Sequence, residues 1–558
     1  MIARRCILLD VQVDMLSIFR MDERVNAVNR KVFFISDSAM NTHKCGWDDE
    51  HIEVPERLEK VLTYLKGEQS NVLGECEVLQ SSSAKLDDIR LVHDANYIET
   101  LSKTRHMNSE ELESYCSGFE DVYANEHTYK ACLLSTGCAL EAMRAVIAER
   151  DRFASAFAAI RPPGHHASRN MACGFCFFNN VAICAKKARQ MGMRRVLIVD
   201  WDVHAAQGTQ YCIEDDPNIK LISIHRYEYG KFWPQLPESA IQHSYANTVN
   251  MTLNKTGFGD AEYISFMSHL VVPIISDFQP SLILVSCGFD ASLGDPEGGM
   301  TVTPGGYQWM THILVSHAIK LRAPLCMLLE GGYFIETLPM NVEFCVKALL
   351  GKSLPPVPLG LCDSVFLNSL HSAAIHYGSH FPSLQLFADV AKTIRQFRGV
   401  KPVELDNVEY KGIREFSLPY PTQGNYHRLP DDVVKSVCKK VSSIIASYVN
   451  RHEQRKLLLC LNSFHDETDE AIVVNIDGAS SIEIVEKFLH MHVCEPSWGV
   501  YEDISIEKSW FSPKNSLTRT EFTSAAYDAT LIGICVALLQ IFEKGFAKNL
   551  EHILLFDA

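Results

Sequence analysis

Residues 195–210 read RVLIVDWDVHAAQGTQ, an apolar run that ends abruptly in Asp200, Asp202 and His204. If the chain stays extended there, its period of two puts all three polar residues on one side. Residues 196–199 suit a strand buried on both faces of a parallel sheet. Bare charges at such a tip cost too much, so they must face a cleft, pair with one another or hold a metal, and a metal fits best. Ligands in open α/β sheets gather at the carboxyl ends of strands. Three further apolar runs end in the same way. Residues 281–285 lead through Cys287 and Gly288 to Asp290, and residues 325–329 lead to Glu330, Gly331, Gly332 and Tyr333. Residues 154–160 lead to Arg161, Pro162, Pro163, Gly164, His165 and His166. Glycine lets backbone approach a ligand closely, and the proline pair stiffens the loop that carries the two histidines.

Those tips need a scaffold. Residues 32–35 and 221–225 read as further strands, and residues 47–58 as a loop feeding a helix that begins near Pro55. Glu120 and Asp121 sit in a polar loop before a long helix over residues 127–149, and Asn179 or Asn180 can cap a helix that runs to Gly192. Strands and helices alternate to about residue 350 without hairpin signals, which predicts an α/β fold built on a doubly wound parallel sheet. Pro355, Pro356 and Pro358 punctuate the end of that alternation, and the segment to residue 385 is expected to wrap back onto the first domain. Residues 405–426 are loop-like. From residue 429 the α/β pattern returns, with a helix to about residue 451, strands at 457–461, 471–476 and 553–556, and helices at 480–491 and 525–542. That second, smaller domain shows no nucleophile elbow, phosphate loop or metal cluster and reads as non-catalytic.

Bulk properties narrow the classes. A chain of 558 residues with 47% hydrophobic and 22% charged residues is ordinary for a globular protein of several domains. A net charge of −16 argues against non-specific DNA binding and admits cationic partners. Eighteen cysteines scattered through apolar runs read as buried thiols of a reducing compartment. Asp10 and Asp14 interrupt the apolar stretch behind Arg4 and Arg5, so a signal peptide is not expected. The uncharged run at residues 530–542 is too short to span a bilayer. No basic cluster marks nuclear import, and nucleus and cytoplasm both remain open.

RPPGHHASRNMACGFCFFNN, DWDVH, GFDASLGDPEGG and LEGGY, in this order, resemble the zinc-dependent histone deacetylases, and in detail class II of that family. The resemblance covers roughly residues 31–385. It leaves a leader (1–30), a linker (386–428) and the C-terminal domain (429–558) unexplained. It implies the arginase/deacetylase fold, a parallel sheet sandwiched by helices, and hydrolysis of acetyl-lysine on histones or other proteins. It further implies one zinc ion on Asp202, His204 and Asp290, with a fourth position left open. His166 would act as general base and then acid, and His165 as electrostatic support oriented by Asp200. Gln207 stands where class I members carry an aspartate. Tyr333 would donate to the oxyanion. Phe175 and Trp233 would wall a slim substrate tunnel that Gly174 and Gly332 line with backbone, and Asp121 and Glu297 would stand at its mouth. Structural potassium near Asp200 and Ser223 is a further implication. A segment of the VHDANYI type at residues 91–97 would lie on the surface.

Three departures bear on substrate and rate. Ala205 and Ala206 replace the family's usual His-Gly, removing a polar group near the metal. Glu297, seven residues beyond Asp290, together with Trp233, resembles the polyamine deacetylase branch, whose glutamate attracts a second cationic amine. That branch also inserts a short Pro- and Cys-containing constriction, whereas here Asp49, Glu50 and His51 run directly into Ile52. The expectation is therefore protein acetyl-lysine first and acetylpolyamines second. A zinc-bound acetyl-lysine reader with weak turnover is the alternative outside catalysis. A dimanganese ureohydrolase shares the fold but needs D-x-H-x-D, and Ala206 fills the last place.

Overall fold

The structure is a computed structural model that describes residues 30–149, 152–355, 362–397, 429–450, 474–476 and 504–506. Strands β1 (Arg30–Ile35), β2 (Glu77–Val78), β3 (Phe153–Ala158), β4 (Val196–Asp200), β5 (Ile219–Arg226), β6 (Thr248–Leu253), β7 (Leu282–Cys287) and β8 (Leu325–Leu329) form one sheet. Their order is β2-β1-β3-β8-β7-β4-β5-β6, and every pairing is parallel. This is the expected helix-flanked parallel sheet. Strands β3, β4, β7 and β8 are buried at every position, so their apolar runs show no alternation.

These four strands are the ones that end in reactive side chains, and they lie side by side at the centre of the sheet. Ala158 pairs with Leu328, Cys287 with Leu329, and Asp200 with Ser286, so the tips finish nearly level. Residues far apart in sequence thereby meet at one edge.

Helices supply the cover. They are α1 (Glu56–Lys66), α2 (Thr128–Ala148), α3 (Asn180–Gln190), α4 (Gln207–Ile213), α5 (Pro304–Leu321) and α6 (Leu338–Leu350). Helix α2 is long and apolar enough to cross a membrane by composition, but 67% of its most apolar window is buried inside the protein, against β1, β3 and α3. Asn179 caps α3 by accepting from the Ala182 N–H at 2.9 Å, while Asn180, the other candidate, accepts from the Thr136 hydroxyl.

Beyond the sheet, α7 (Ser364–Tyr377) folds back onto β6, where the Tyr377 hydroxyl donates to the Ile241 carbonyl at 2.7 Å and accepts from the Asn250 N–H at 2.9 Å. Helix α8 (Pro382–Phe397) runs straight across the expected boundary at residue 385. Helix α9 (Asp431–Asn450) matches the amphipathic helix read from sequence. Strand β9 (Val474–Ile476) lies within the expected strand at 471–476 and pairs antiparallel with β10 (Ile504–Ile506). The expected leader up to residue 29, the loop at 405–426, the strands at 457–461 and 553–556, and the helices at 480–491 and 525–542 lie outside the described residues.

The segment at 91–97 corrects the surface expectation. Its His93 ring accepts from the Asn179 N–H at 2.9 Å and is buried, and the Tyr97 hydroxyl donates to the Phe177 carbonyl at 2.8 Å. Asp94, Ala95 and Asn96 between them do face water, so the segment lies on the surface at its centre and is anchored in the core on either side.

Under the central tips lies a buried ionic frame. The Glu53 carboxylate accepts from Arg57 at 2.9 Å, from Arg161 at 2.9 and 2.7 Å and from the Tyr123 hydroxyl. Arg57 also donates to the carbonyls of Glu330 at 2.6 Å and Gly332 at 2.7 Å, so α1 grips the loop after β8. Although burial opposes its charge, Arg161 and Arg57 hold Glu53 well below the usual carboxylate range. A carboxylate held down in the folded state stabilises it above the unfolded value, and that stability fades as pH falls below about 4. Glu53→Ala would strand two buried guanidinium groups and is expected to cost about 3–5 kcal/mol at neutral pH. Urea unfolding checks this, and the gap from the parent protein should narrow in acid.

Candidate active site

The loop after β4 is shaped by its own side chains. The Asp200 carboxylate accepts from the Asp202 N–H at 3.0 Å, and the Asp202 carboxylate accepts from the His204 N–H at 3.0 Å. Each aspartate thus bonds the backbone two residues on, a turn device that ends the strand at Asp200. The extended continuation expected from the period of two does not occur. Asp200 turns to His165, at 3.0 Å from its Nδ1, whereas Asp202 and His204 turn toward Asp290.

The His204 Nδ1 lies 3.1 Å from an oxygen of Asp202 and 3.1 Å from an oxygen of Asp290. Both aspartates are fully buried. Two glycines make this packing possible. A Cβ at Gly288 would fall within the Asp202 carboxylate, and one at Gly331 would stand 2.5 Å from an Asp202 oxygen and collide with Asp290. The Gly331 N–H also donates to Asp202 at 2.9 Å, and the Val203 N–H to Asp290 at 2.7 Å. Burial opposes the charge on His204, but Asp202 and Asp290 outweigh it and raise its pKa well above the ordinary value. Burial and the neighbouring Asp202 push Asp290 well up.

Among the described residues two groups have the right donor atoms for a metal: His165, His166 and Asp202, and Asp202, His204 and Asp290. In the first, both imidazole Nδ1 atoms are already engaged, by Asp200 and by Gln207. The second brings two fully buried carboxylates onto one imidazole nitrogen. Such a donor set is costly as bare charges and fits one divalent ion.

The paired histidines stand beside this group, ring centroids 3.9 Å apart. Gln207 accepts at 2.8 Å from His166 Nδ1, an assignment in which the ring's Nε2 is left as acceptor. Burial, with His165 and His204 close by, keeps His166 well below the ordinary imidazole value. His165 behaves oppositely. Burial again opposes its charge, but Asp202 and Asp200 win and lift it to about 10. Glu330, a strand-tip carboxylate without an assigned role in the sequence, accepts from the Gly164 N–H at 2.6 Å and the His165 N–H at 3.2 Å, and so clamps the histidine loop to β8.

Aromatic rings flank the cluster on two sides. Phe175 clusters with Ile52 and meets Tyr333 edge-on at 5.7 Å. Trp233 stands 4.6 Å from His166 and 5.6 Å from His204. Its indole N–H donates to the Glu120 carboxylate at 2.6 Å. Gly174, at φ +51°, is required where it stands, since a Cβ would lie 2.7 Å from both His166 and Trp233. Gly332 is held at φ +112°, and a Cβ there would stand 2.8 Å from Phe289 and 3.1 Å from Leu338, so a side chain has no room on that side. Asp121 accepts from the Phe175 N–H at 2.9 Å through its carbonyl, and Tyr333 is fixed through its own N–H, which donates to Asp295 at 2.6 Å. Ala205 and Ala206 are buried, so two methyl groups pack where the family usually carries His-Gly.

Sequence reasoning passed over Phe232 and Arg226. Phe232 stacks on His204 at 5.4 Å, and Arg226 covers Phe232 at 4.0 Å while donating to the Glu297 carbonyl at 3.0 Å. Arg226 therefore ties the half-buried Glu297 loop to the ring stacked on His204. The FW pair was the available signal, though only its tryptophan was singled out.

Comparisons agree with this arrangement. Residues 51–349 match the family described as "Histone deacetylase domain". The human "Polyamine deacetylase HDAC10" is 39% identical over 356 residues, 62% of this chain and 52% of that protein. "Histone deacetylase 6" of Caenorhabditis elegans is 35% identical over 322 residues, 56% of this chain and 33% of that protein. The solved structure described as "Crystal Structure of HDA15 HD domain" superposes with a TM-score of 0.57 at 29% identity, over 66% of this chain and 99% of the other. The chain spans about half the length of the HDAC10 relative or less of such curated proteins. The sheet order, the site and these matches lead to one conclusion: the chain belongs to the histone deacetylase family, in its class II branch.

Proposed function

We propose that this chain hydrolyses the acetyl amide of an amine carried on a slender aliphatic stem, with zinc held by Asp202, His204 and Asp290. The carrying observation is the placement of His166, fixed through Gln207 at 2.8 Å with its ring 5.8 Å from His204 and 4.6 Å from Trp233, where burial and the neighbouring histidines disfavour its charge. Bound there, zinc would supply Lewis acidity toward the acyl carbonyl and acidify a water molecule. Each remaining task falls to a side chain. His166 Nε2 takes a proton from the attacking water and returns it to the departing amine. Because Gln207 is neutral, it orients His166 without holding the proton back. His165, kept cationic by its carboxylates, favours negative charge developing beside it. Burial keeps the Tyr333 phenol protonated, so its O–H can donate to the oxyanion. Phe175 and Trp233 exclude bulky side chains and admit an alkyl stem.

For the substrate, acetylpolyamines are the first reading. Three features support it: the likeness to relatives named polyamine deacetylases, Trp233 beside His166, and Glu297 anchored by Arg226 where a second cationic amine would meet it. The sequence alone had favoured protein acetyl-lysine. That remains the second reading, because residues 49–52 lack the constricting insertion.

Kinetics with acetylspermidine and an acetyl-lysine peptide test both levels. Tyr333→Phe and His166→Ala should each lower kcat on either substrate, by about 10²–10³ for the tyrosine. Zinc binding without such turnover would make the chain a reader. Glu297→Leu should lower kcat/KM for acetylspermidine about tenfold, equivalent to 1.4 kcal/mol, and spare the peptide. Equal effects on both would return the assignment to acetyl-lysine. Metal analysis gives a separate check: one divalent ion per chain in the parent protein, and well under half that in Gly288→Ala, whose new methyl displaces Asp202.

A further inference from the structure

Helix α9 falls in the region read from sequence as a separate domain, yet it lies on the catalytic domain. Positions 437, 441, 444 and 448 form one stripe at helical spacing. Val441 on this stripe is 1% exposed, whereas Asp431, Asp432 and Val433 at the start of the helix face water. Two glycines of the catalytic domain act as sockets for it. A Cβ at Gly294 would overlap Val437, and one at Gly305 would lie 2.6 Å from the Tyr448 hydroxyl. That hydroxyl is 3.2 Å from the Thr303 hydroxyl, and the Tyr448 ring packs against Phe344 at 6.0 Å.

Val437 touches a consequential place. Gly294, at φ +96°, precedes Asp295 in the loop after β7, the loop that carries Asp290. The buried Asp295 carboxylate accepts from the backbone N–H of Tyr333 at 2.6 Å and of Phe334 at 3.0 Å. Phe334 itself comes within 3.3 Å of where a Gly294 Cβ would stand. Val437 therefore presses on the joint between the loop bearing a metal-ligand aspartate and the loop bearing the phenol.

We infer that α9 is a positioning element of the active site: Val437 seats the Gly294–Asp295 turn, and Asp295 in turn sets the backbone from which Tyr333 aims its hydroxyl. This rests on the reading of Tyr333 as oxyanion donor. A small misplacement of such a donor acts on the transition state more than on substrate binding.

The test uses the full chain and a double-mutant cycle. Val437→Asp should lower kcat about tenfold, change KM less than about twofold and leave far-ultraviolet circular dichroism unchanged. In a Tyr333→Phe background the same substitution should cost nothing further. If Val437→Asp fails to fold, Val437→Ala and Tyr448→Phe carry the same expectation at about two- to threefold. A folded Val437 variant with undiminished kcat, or a loss that multiplies in the Tyr333→Phe background, overturns the inference alone. Undiminished kcat in Tyr333→Phe itself overturns the reading of the phenol and the inference with it.

Discussion

Two carboxylates, Asp202 and Asp290, are sealed from water within 3.1 Å of one imidazole nitrogen, and much of the surrounding structure answers that cost. Buried charge without compensation would unfold or neutralise such a site. Here backbone N–H groups of Val203 and Gly331 are turned inward to accompany the acids, and Gly288 and Gly331 give up their side chains to make room. His165 supplies positive charge from one side, itself secured by Asp200. A divalent cation is the group that would complete the balance, which is why donor chemistry and charge point to the same three ligands.

The second requirement is rigidity, and it is met by a frame buried outside the reacting region. Glu53, Arg57, Arg161 and Tyr123 are fully enclosed and mutually bonded, and Arg57 extends the frame to the Glu330 and Gly332 carbonyls. Glu330 passes the constraint to the His165 loop through two backbone bonds. A loop can carry catalytic groups when a scaffold fixes it so closely. Polar partners make this scaffold more specific than an apolar core would, since guanidinium forks accept few alternative geometries.

The chemistry was far more legible in the sequence than its support. Asp200, Asp202, His204, Asp290, Tyr333 and the histidine pair stood out because several titratable side chains rarely follow fully apolar strands. Strand existence and the parallel class followed from the same runs. Sheet order did not, because a buried apolar run does not say which other run it pairs with, and only the structure shows β3, β8, β7 and β4 to be neighbours. Single supporting residues were harder still. Phe232, Glu120 and His93 are ordinary residues in irregular segments, and each gains its role from a partner distant in sequence. The two glycines before Tyr333 look alike in sequence, yet the structure gives them different neighbours: a Cβ at Gly331 would meet the two acids, and one at Gly332 would meet Phe289. The region after residue 429 reads as separate because a loop-like stretch precedes it and the α/β pattern then starts again, whereas the contacts of α9 depend on sockets at Gly294 and Gly305 that no periodicity reveals.

The position of α7 has a consequence beyond the site. An open sheet exposes unpaired amides and carbonyls along its margins, and a long bare margin invites strands from other molecules. In this sheet one margin is β2, only two residues long, whose Glu77 pairs with Lys31 at 2.9 Å. The other is β6, which lies beneath α7 with its Asn250 amide held by the Tyr377 hydroxyl. Brevity and charge protect the first margin, and a covering helix protects the second. The native sheet thus offers little template for the strand-by-strand self-association that leads to aggregates.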